Sequence, residues 1–224
     1  MSELVATPSM CYHCFDVLIN ALSSRNTNRN ELPEFSKELT NISVECPLFV
    51  TWEKKGNNGS WQLRGCIGTL SPRLLVASIG EYAVTSALRD RRFHPIGISE
   101  VSSLRVSVSL LVQYEDCDHA YDWKVGIHGI LINFTVAQQH YNATYLPEVA
   151  KEQGWDQEKT VATLIQKAGY YGRVTNELLK SIQCTRYQSS KHKVDFEEYL
   201  TKHCNGEKNS IPQTQRRWSP CNIH

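Results

Sequence analysis

The stretch Leu104-Arg105-Val106-Ser107-Val108-Ser109-Leu110 alternates apolar and polar side chains more clearly than any other part of the 224-residue sequence. Successive side chains of a β-strand point to opposite faces of its sheet, so this period predicts a strand with one buried face. We expect the even-numbered residues, Val106 and Val108 among them, to face the core, and Arg105 and Ser107 to face outward.

Further strands and helices are predicted on both sides of this stretch. Apolar residues 48–52 and 61–67 flank the turn residues 56–59 and predict a β-hairpin, and residues 130–136 predict a later strand. Apolar residues at spacings of three and four predict helices, whose starts are marked by Thr7-Pro8, Ser71-Pro72 and Asp156. Hairpin-linked strands among helices favour an α+β fold with a largely antiparallel sheet flanked by helices.

The composition argues against a nucleic-acid binder, a membrane protein and a secreted protein. Lys and Arg number 24 against 23 Asp and Glu, a net charge of +1 that argues against a nucleic-acid binder driven by bulk charge. No apolar run approaches the ~20 residues of a membrane span, and the N-terminus lacks the pattern of a secretory signal. We therefore expect an intracellular protein, cytoplasmic or nuclear, with no membrane partner, whose eight cysteines are thiols.

The chain is predicted to fold as a single domain over residues 1–200. Residues 25–46 are rich in Asn, Ser, Glu and Lys and predict a connection on the surface. Residues 201–224 are polar, with Arg216 and Arg217 near Pro220, and predict a flexible C-terminal tail.

The chemically most suggestive residue is Cys66, in the segment Leu63-Arg64-Gly65-Cys66-Ile67-Gly68. Gly65 and Gly68 permit a tight, open turn in which backbone N–H groups can face a ligand. Arg64 and the helix predicted from Ser71 would favour the thiolate, which makes Cys66 a candidate nucleophile. The alternative is a small buried cysteine where the sheet meets a helix.

Two residues outside this segment are candidates for acid–base chemistry. His128 lies in a predicted turn and is the best candidate base for Cys66; alternatively it is a turn histidine exposed to water. Glu148 lies four residues before Glu152, so both carboxylates would share one face of a helix and could act as acid or base or orient His128. Alternatively they are a solvated pair in a first helical turn.

Several arginines are candidates for binding an anion. Arg64 and Arg92, together with Arg89 and Arg91, could form an anion site, although some of them would be ordinary salt-bridge partners. We expect no metal site, because Cys11 and Cys14 form a single C-x-x-C pair on the apolar face of a predicted helix. No nucleotide or other cofactor motif is present in the sequence.

The segment 63–68 resembles the LRGCIG signature of the AMMECR domain family. Five further blocks, one before this segment and four after it, also resemble that family. The matching blocks lie in the family's order along most of the chain: residues 47–52, 63–68, 85–88 with 92–93, 107–111, 123–130 and 143–156. The resemblance implies an α+β domain of two closely packed subdomains with a cleft between them. In prokaryotes the family occurs with Memo-type and radical-SAM proteins, which implies a functional link to them.

Two functions are compatible with these residues. In the first, the cleft around residues 63–68 is an active site on an unknown substrate, with Cys66 as nucleophile or proton donor, His128 as base and Arg64 as anion anchor. In the second, the same cleft belongs to a non-catalytic regulatory module that recognises a protein or a small ligand. We predict that Arg64, Cys66, His128 and Glu148 lie around one concavity.

Overall fold

A computed structural model of the chain describes residues 4–23 and 32–206. Within that part, the strands are β1 (Glu45–Lys55), β2 (Trp61–Leu74), β3 (Leu104–Asp116), β4 (Gly129–Val136), β5 (Gln139–Tyr145) and β6 (Gln183–Asp195). The helices are α1 (Pro8–Leu22), α2 (Leu75–Leu88), α3 (Pro147–Gln153), α4 (Gln157–Lys167), α5 (Asn176–Ser181) and α6 (Phe196–Gly206), with 3₁₀ turns at Glu34–Glu38 and Ile98–Ser103.

The strands form an antiparallel sheet in the order β2-β1-β3-β6-β4-β5. This sheet with its helices confirms the predicted α+β fold. The chain divides into two compact units, unit 1 from residues 1–110 with 191–224 and unit 2 from residues 111–190.

Unit 1 is built around β1, which pairs with β2 on one side and β3 on the other. Apolar residues of α1 and α2 supply its core, and Phe15 of α1 packs edge-on against Trp52 of β1 with ring centroids 5.2 Å apart. The indole N–H of Trp52 donates to the carbonyl of Ala83 in α2, which fixes that helix on the strand. Near its C-terminal end, α2 also brings the carbonyl of Ser86 against Gly65 of β2.

Unit 2 has its own core, beneath β4. Ile130, Ile132 and Phe134 of β4 pack with Val161 and Leu164 of α4. Asp156 caps α4 by accepting a hydrogen bond from the Lys159 N–H, as its position before the apolar run predicts.

The strand β3 confirms one half of the predicted alternation and corrects the other. Val106 and Val108 are fully buried, as expected, but Ser107 is also only 1 % exposed, so the prediction that it faces outward was wrong. A serine is small enough to be covered, and its polarity therefore does not report exposure. Arg105 is half-buried and pairs with Glu53 of β1.

The start of α2 differs from the prediction. Ser71 and Pro72 belong to β2, because the strand continues to pair with β1 through Arg73 and Leu74, and the helix begins only at Leu75. Cross-strand pairing here outweighs the local preference of a Ser-Pro sequence for a helix start.

The predicted connection and the predicted tail both contain residues that the structure places in ordered elements. Of the connection expected on the surface, residues 25–46, the part 25–31 lies outside the described residues. Within the described part Phe35 is fully buried, so this segment also contributes to the core. The helix α6 runs to Gly206 and so enters the segment predicted as a tail, of which residues 207–224 lie outside the described residues.

Candidate functional site

The glycines of the 63–68 segment lie where this chain's own backbone comes close. A Cβ atom on Gly65 would lie 2.1 Å from the carbonyl oxygen of Ser86 in α2, and one on Gly68 would lie 2.2 Å from that of Leu48 in β1. Van der Waals contact requires more than 3 Å, so both positions require glycine for packing within unit 1. The sequence prediction that these glycines open space for a ligand is therefore not needed to explain them.

Cys66 is half-buried in β2, and three groups hold it. Its backbone N–H donates to Oδ2 of Asp90 at 2.9 Å, and its carbonyl accepts from the Arg92 guanidinium at 3.0 Å. The hydroxyl of Thr51, directly opposite on β1, donates to the Cys66 sulfur at 3.1 Å. The hydrogen-bond donor to the thiol is thus a side chain of β1. The N-terminus of α2, which the sequence suggested for this role, lies nine residues further along the chain, at Leu75.

Asp90 and Arg92 act together on this strand. The Arg92 guanidinium donates from Nε to Oδ1 at 3.0 Å and from a terminal nitrogen to Oδ2 at 2.7 Å. These bonds to Arg92, with the backbone N–H of Cys66, hold the pKa of the buried Asp90 carboxyl well below its usual range. Because the Arg92 side chain is 57 % exposed, it also presents donors to solvent.

The guanidinium of Arg64 is bonded to a carboxylate and to backbone carbonyls of unit 1. Its guanidinium donates to both carboxylate oxygens of Glu100, at 3.1 and 2.9 Å, and to the carbonyls of His94 at 2.7 Å and Pro95 at 3.4 Å. The Arg64 bonds, with one from Lys54, lower the pKa of Glu100 from 4.5 to about 2. Only 14 % of the Arg64 side chain is exposed, so it fixes the loop after α2 more than it offers a free anchor for an anion.

An open pocket of about 450 Å³ lies at this edge of unit 1. Five residues line it: Arg64, Arg91, Arg92, Phe93 and His94. The guanidinium of Arg92 lies over the ring of Phe93, 5.6 Å from its centroid, so the walls combine charge with one aromatic surface. We call this the arginine pocket.

The cations of the arginine pocket differ in what pairs with them. Arg64 has Glu100 and Arg92 has Asp90, whereas the exposed Arg91 side chain has no hydrogen-bond or ion-pair partner among the described residues. The pocket therefore has more positive than negative charge, and a guanidinium available to an incoming group.

His128 lies in unit 2, at the turn before β4. Its Nδ1 accepts a hydrogen bond from the backbone N–H of Lys124 at 3.0 Å. Partial burial, and next the nearby positive charge of Arg186, lower the pKa of His128. The neutral ring therefore carries its proton on Nε2, and the lone pair that a general base would need is already used by the Lys124 amide.

Glu148 also lies in unit 2, in the first turn of α3, with Glu152 four residues later on the same helix. The structure thus brings together Arg64, Cys66 and Arg92 in unit 1, whereas His128 and Glu148 belong to unit 2. The convergence of Arg64, Cys66, His128 and Glu148 on one concavity stays a prediction.

Sequence reasoning missed four residues that organise this site: Thr51, Asp90, Phe93 and Glu100. Asp90 directly follows Arg89 and precedes two further arginines, and an acidic residue within a basic run was the available signal for a salt bridge. Thr51 and Glu100 are brought in by strand register and by a loop far along the chain, which no local pattern indicates. In the described residues, no group of three or more His, Cys, Asp and Glu side chains is placed to hold a metal ion; Cys11 and Cys14 are buried in the core.

Comparisons with known proteins place this chain in a family. A family model described as AMMECR1 matches residues 11–192. An uncharacterised protein of Arabidopsis thaliana is 44 % identical over 198 residues, 88 % of each chain, and one of Schizosaccharomyces pombe is 41 % identical over 190 residues, 85 % of this chain and 93 % of the relative. The crystal structure of an uncharacterised protein from Pyrococcus horikoshii has the same fold, with a TM-score of 0.61 at 24 % identity, over 82 % of this chain and 89 % of that one.

Proposed function

This chain belongs to the AMMECR1 family, and we propose that it is a binding module that recognises an anionic group of a protein or small molecule in the arginine pocket. The observation that carries the proposal is Arg91, an exposed guanidinium at a pocket whose other two arginines already have carboxylate partners. A guanidinium offers two parallel N–H donors that fit a carboxylate or phosphate, and such charge-assisted bonds are among the stronger hydrogen bonds in proteins.

The fixed arginines support this role. Arg64 and Arg92 are each bonded to a carboxylate and to backbone carbonyls, so their positions are set before any ligand arrives. A preorganised wall costs little conformational entropy on binding. Phe93 adds an apolar surface beside the charge, as expected for a ligand with an organic part.

The test is the binding of small anions to the folded chain. Inorganic phosphate and acetate would be titrated separately at low ionic strength, and the backbone amide signals of residues 90–94 followed by NMR, since salt screens exposed charges. Arg91→Ala should weaken binding about tenfold. Arg89→Ala is the matched control, because Arg89 is exposed, carries the same charge and does not line the pocket. Equal weakening by both variants would show that net charge alone, and not the pocket, attracts the anion.

A second function, covalent chemistry at Cys66, is favoured by the hydrogen bond from the Thr51 hydroxyl to the sulfur. This bond holds the sulfur in a defined position on β2, and the thiolate is the nucleophilic form of a cysteine. Cys66 also lies beside Arg92, at the border of the arginine pocket. This second function requires that an anionic substrate bound at Arg91 reach the Cys66 thiol. Since the His128 lone pair is used by Lys124, this candidate needs another group, or solvent, to accept the thiol proton.

Alkylation with paired reagents tests the second function. In each reaction the Cys66 thiolate displaces iodide, a C–S bond forms, and the thiol proton has passed to the buffer. The charged reagent is iodoacetate and the neutral one iodoacetamide, and mass spectrometry gives the ratio of their rates at Cys66 relative to that at the half-buried Cys117. The ratio should favour iodoacetate at Cys66 and fall in Arg91→Ala, while Thr51→Val should slow both reagents. A Cys66 that reacts no faster than Cys117 would remove this candidate.

We extend the proposal to where the protein acts and with what. Six cysteines among the described residues are free thiols, which supports a reducing compartment, cytoplasmic or nuclear. In the described part of the chain, no helix is both long and apolar enough to cross a bilayer. The link to Memo-type and radical-SAM proteins stays part of the proposal, and the near-neutral net charge supports a partner other than nucleic acid.

A further inference from the structure

The strand β2 is an edge strand, and side chains cover part of its free edge. Among the described strands, β2 pairs only with β1, so its other side presents backbone N–H and C=O groups outward. At Cys66 both outward groups are satisfied by side chains, the N–H by Asp90 and the carbonyl by Arg92. These two side chains occupy the place that a neighbouring strand would take.

The next outward-facing residue along β2 is Gly68. In an antiparallel pair the N–H and C=O of alternate residues point away from the partner strand, and the β1–β2 register is unbroken from Gly65 to Thr69. Gly68 therefore directs its N–H and C=O outward, as Cys66 does. Neither group has a partner among the described residues, and Gly68 is half-exposed.

The uncovered edge lies directly beside the arginine pocket. The loop after α2 runs alongside β2 only as far as Cys66, through the bonds of Arg64 to His94 and Pro95 and those of Asp90 and Arg92 to Cys66. Beyond it, Leu70 is 43 % exposed on the same strand. A segment paired with Gly68 would thus have apolar surface at one end and the unpaired guanidinium of Arg91 at the other.

We propose that the ligand of the arginine pocket is an extended acidic peptide of a partner protein, which adds as a strand to the free edge of β2 at Gly68 and places a carboxylate on Arg91. This inference rests on the proposed anion-binding function and names its ligand class. Strand addition obtains affinity from backbone hydrogen bonds and specificity from side-chain sites next to the edge. The chain's own residues 207–224 do not match the pocket, because Lys208, Arg216 and Arg217 outnumber the single acidic residue, Glu207.

The first experiment uses two pools of short peptides, about six residues long, as a typical strand is. Both pools are acetylated and amidated to remove terminal charge and vary Val, Thr, Ser and Leu at every position but one. That position is glutamate in one pool and glutamine in the other. The full-length protein should retain the glutamate pool about tenfold better than the glutamine pool. Arg91→Ala should abolish this preference, and Arg89→Ala should keep it.

The second experiment separates strand addition from simple charge attraction. The best-retained peptide is made in two N-methylated forms, one methylated on its odd and one on its even amides. Only alternate amides of an added strand face β2, so one form should lose binding at least about tenfold and the other should lose little.

Each outcome has one meaning. Equal binding by both methylated forms would overturn strand addition, and so would retention of neither pool while phosphate or acetate still shifts residues 90–94. Failure of the small anions themselves to bind would instead remove the anion-binding function on which this inference rests.

Discussion

The 63–68 segment of β2 and the turn before β4 both contain a residue that sequence reasoning selected for chemistry, and both are surrounded by charged side chains. At the turn, Arg186 pairs with Glu115 and Asp122, and the His128 ring accepts from the Lys124 amide. At β2, the two carboxylates of the network pair with Arg64 and Arg92, and Arg91 keeps no partner among the described residues. What distinguishes a candidate binding site is thus unpaired charge at an open pocket, not the number of polar residues.

The glycines of the two regions give the largest expected difference. In Gly65→Ala the new Cβ would meet the Ser86 carbonyl at 2.1 Å, and both groups are backbone-anchored, so unit 1 should lose at least about 3 kcal/mol of stability. In Gly126→Ala the nearest atom is the flexible Lys151 side chain at 3.1 Å, and the cost comes mainly from the positive φ of 78°, about 1 kcal/mol. Urea denaturation at neutral pH measures both. Equal losses would mean that β2 moves away from α2 easily, and that the 63–68 segment is less rigid than its contacts indicate.

Removing the charge of the buried Asp90 should cost more stability than removing that of Asp122 at the turn. Asp90→Asn places an amide N–H₂ among donors from Cys66 and Arg92, so it should destabilise unit 1 by about 2 kcal/mol. Asp122→Asn at the turn should lose about 0.5 kcal/mol, because its ion pair with Arg186 is partly exposed to water. The difference in urea midpoint between the two variants measures this. If Asp122→Asn were the more damaging, the turn would be the more tightly organised charge network.

The two regions should also respond to acid in different pH ranges. Glu100 has a lowered folded-state pKa, so its stabilisation is full above 4.5 and disappears as the pH falls toward about 2. The lowered pKa of His128 has the same sign: its contribution is full above 6.5 and declines as the pH falls through the folded-state value. Thermal unfolding between pH 7 and pH 3 should therefore show a flatter profile below 4.5 for Glu100→Gln, and a smaller flattening just below 6.5 for His128→Asn. Unchanged profiles in both variants would contradict the lowered pKa values.

Sequence patterns predicted the fold well where one local signal was sufficient. The alternation around Val106 and the Asp156 cap both correspond to what the structure shows. They failed where long-range contacts decide. Ser71 and Pro72 stayed in β2 because the strand pairs with β1 on both sides of them, at Thr69 and again at Arg73, and Ser107 was covered in spite of its polarity. The same limit applies to the site. Cys66 could be selected from its neighbours in sequence, but Thr51 and Asp90 contact it only through strand register and the position of the loop after α2.

The smallest expected effect on stability is the most informative about function. Arg91 is exposed and has no partner in the described part of the chain, so Arg91→Ala should change the free energy of unfolding by no more than about 0.5 kcal/mol. Arg92→Ala, one residue along the same loop, should cost about 2 kcal/mol because it leaves the buried Asp90 carboxylate with fewer donors. Denaturant midpoints at pH 7 measure both variants, without added anion and then with phosphate. Phosphate should raise the midpoint of the wild type more than that of Arg91→Ala, since a ligand stabilises the state that binds it in proportion to how tightly it binds. If Arg91→Ala were as destabilising as Arg92→Ala, both guanidinium groups would serve the fold, and the contrast between β2 and the turn before β4 would lose its basis.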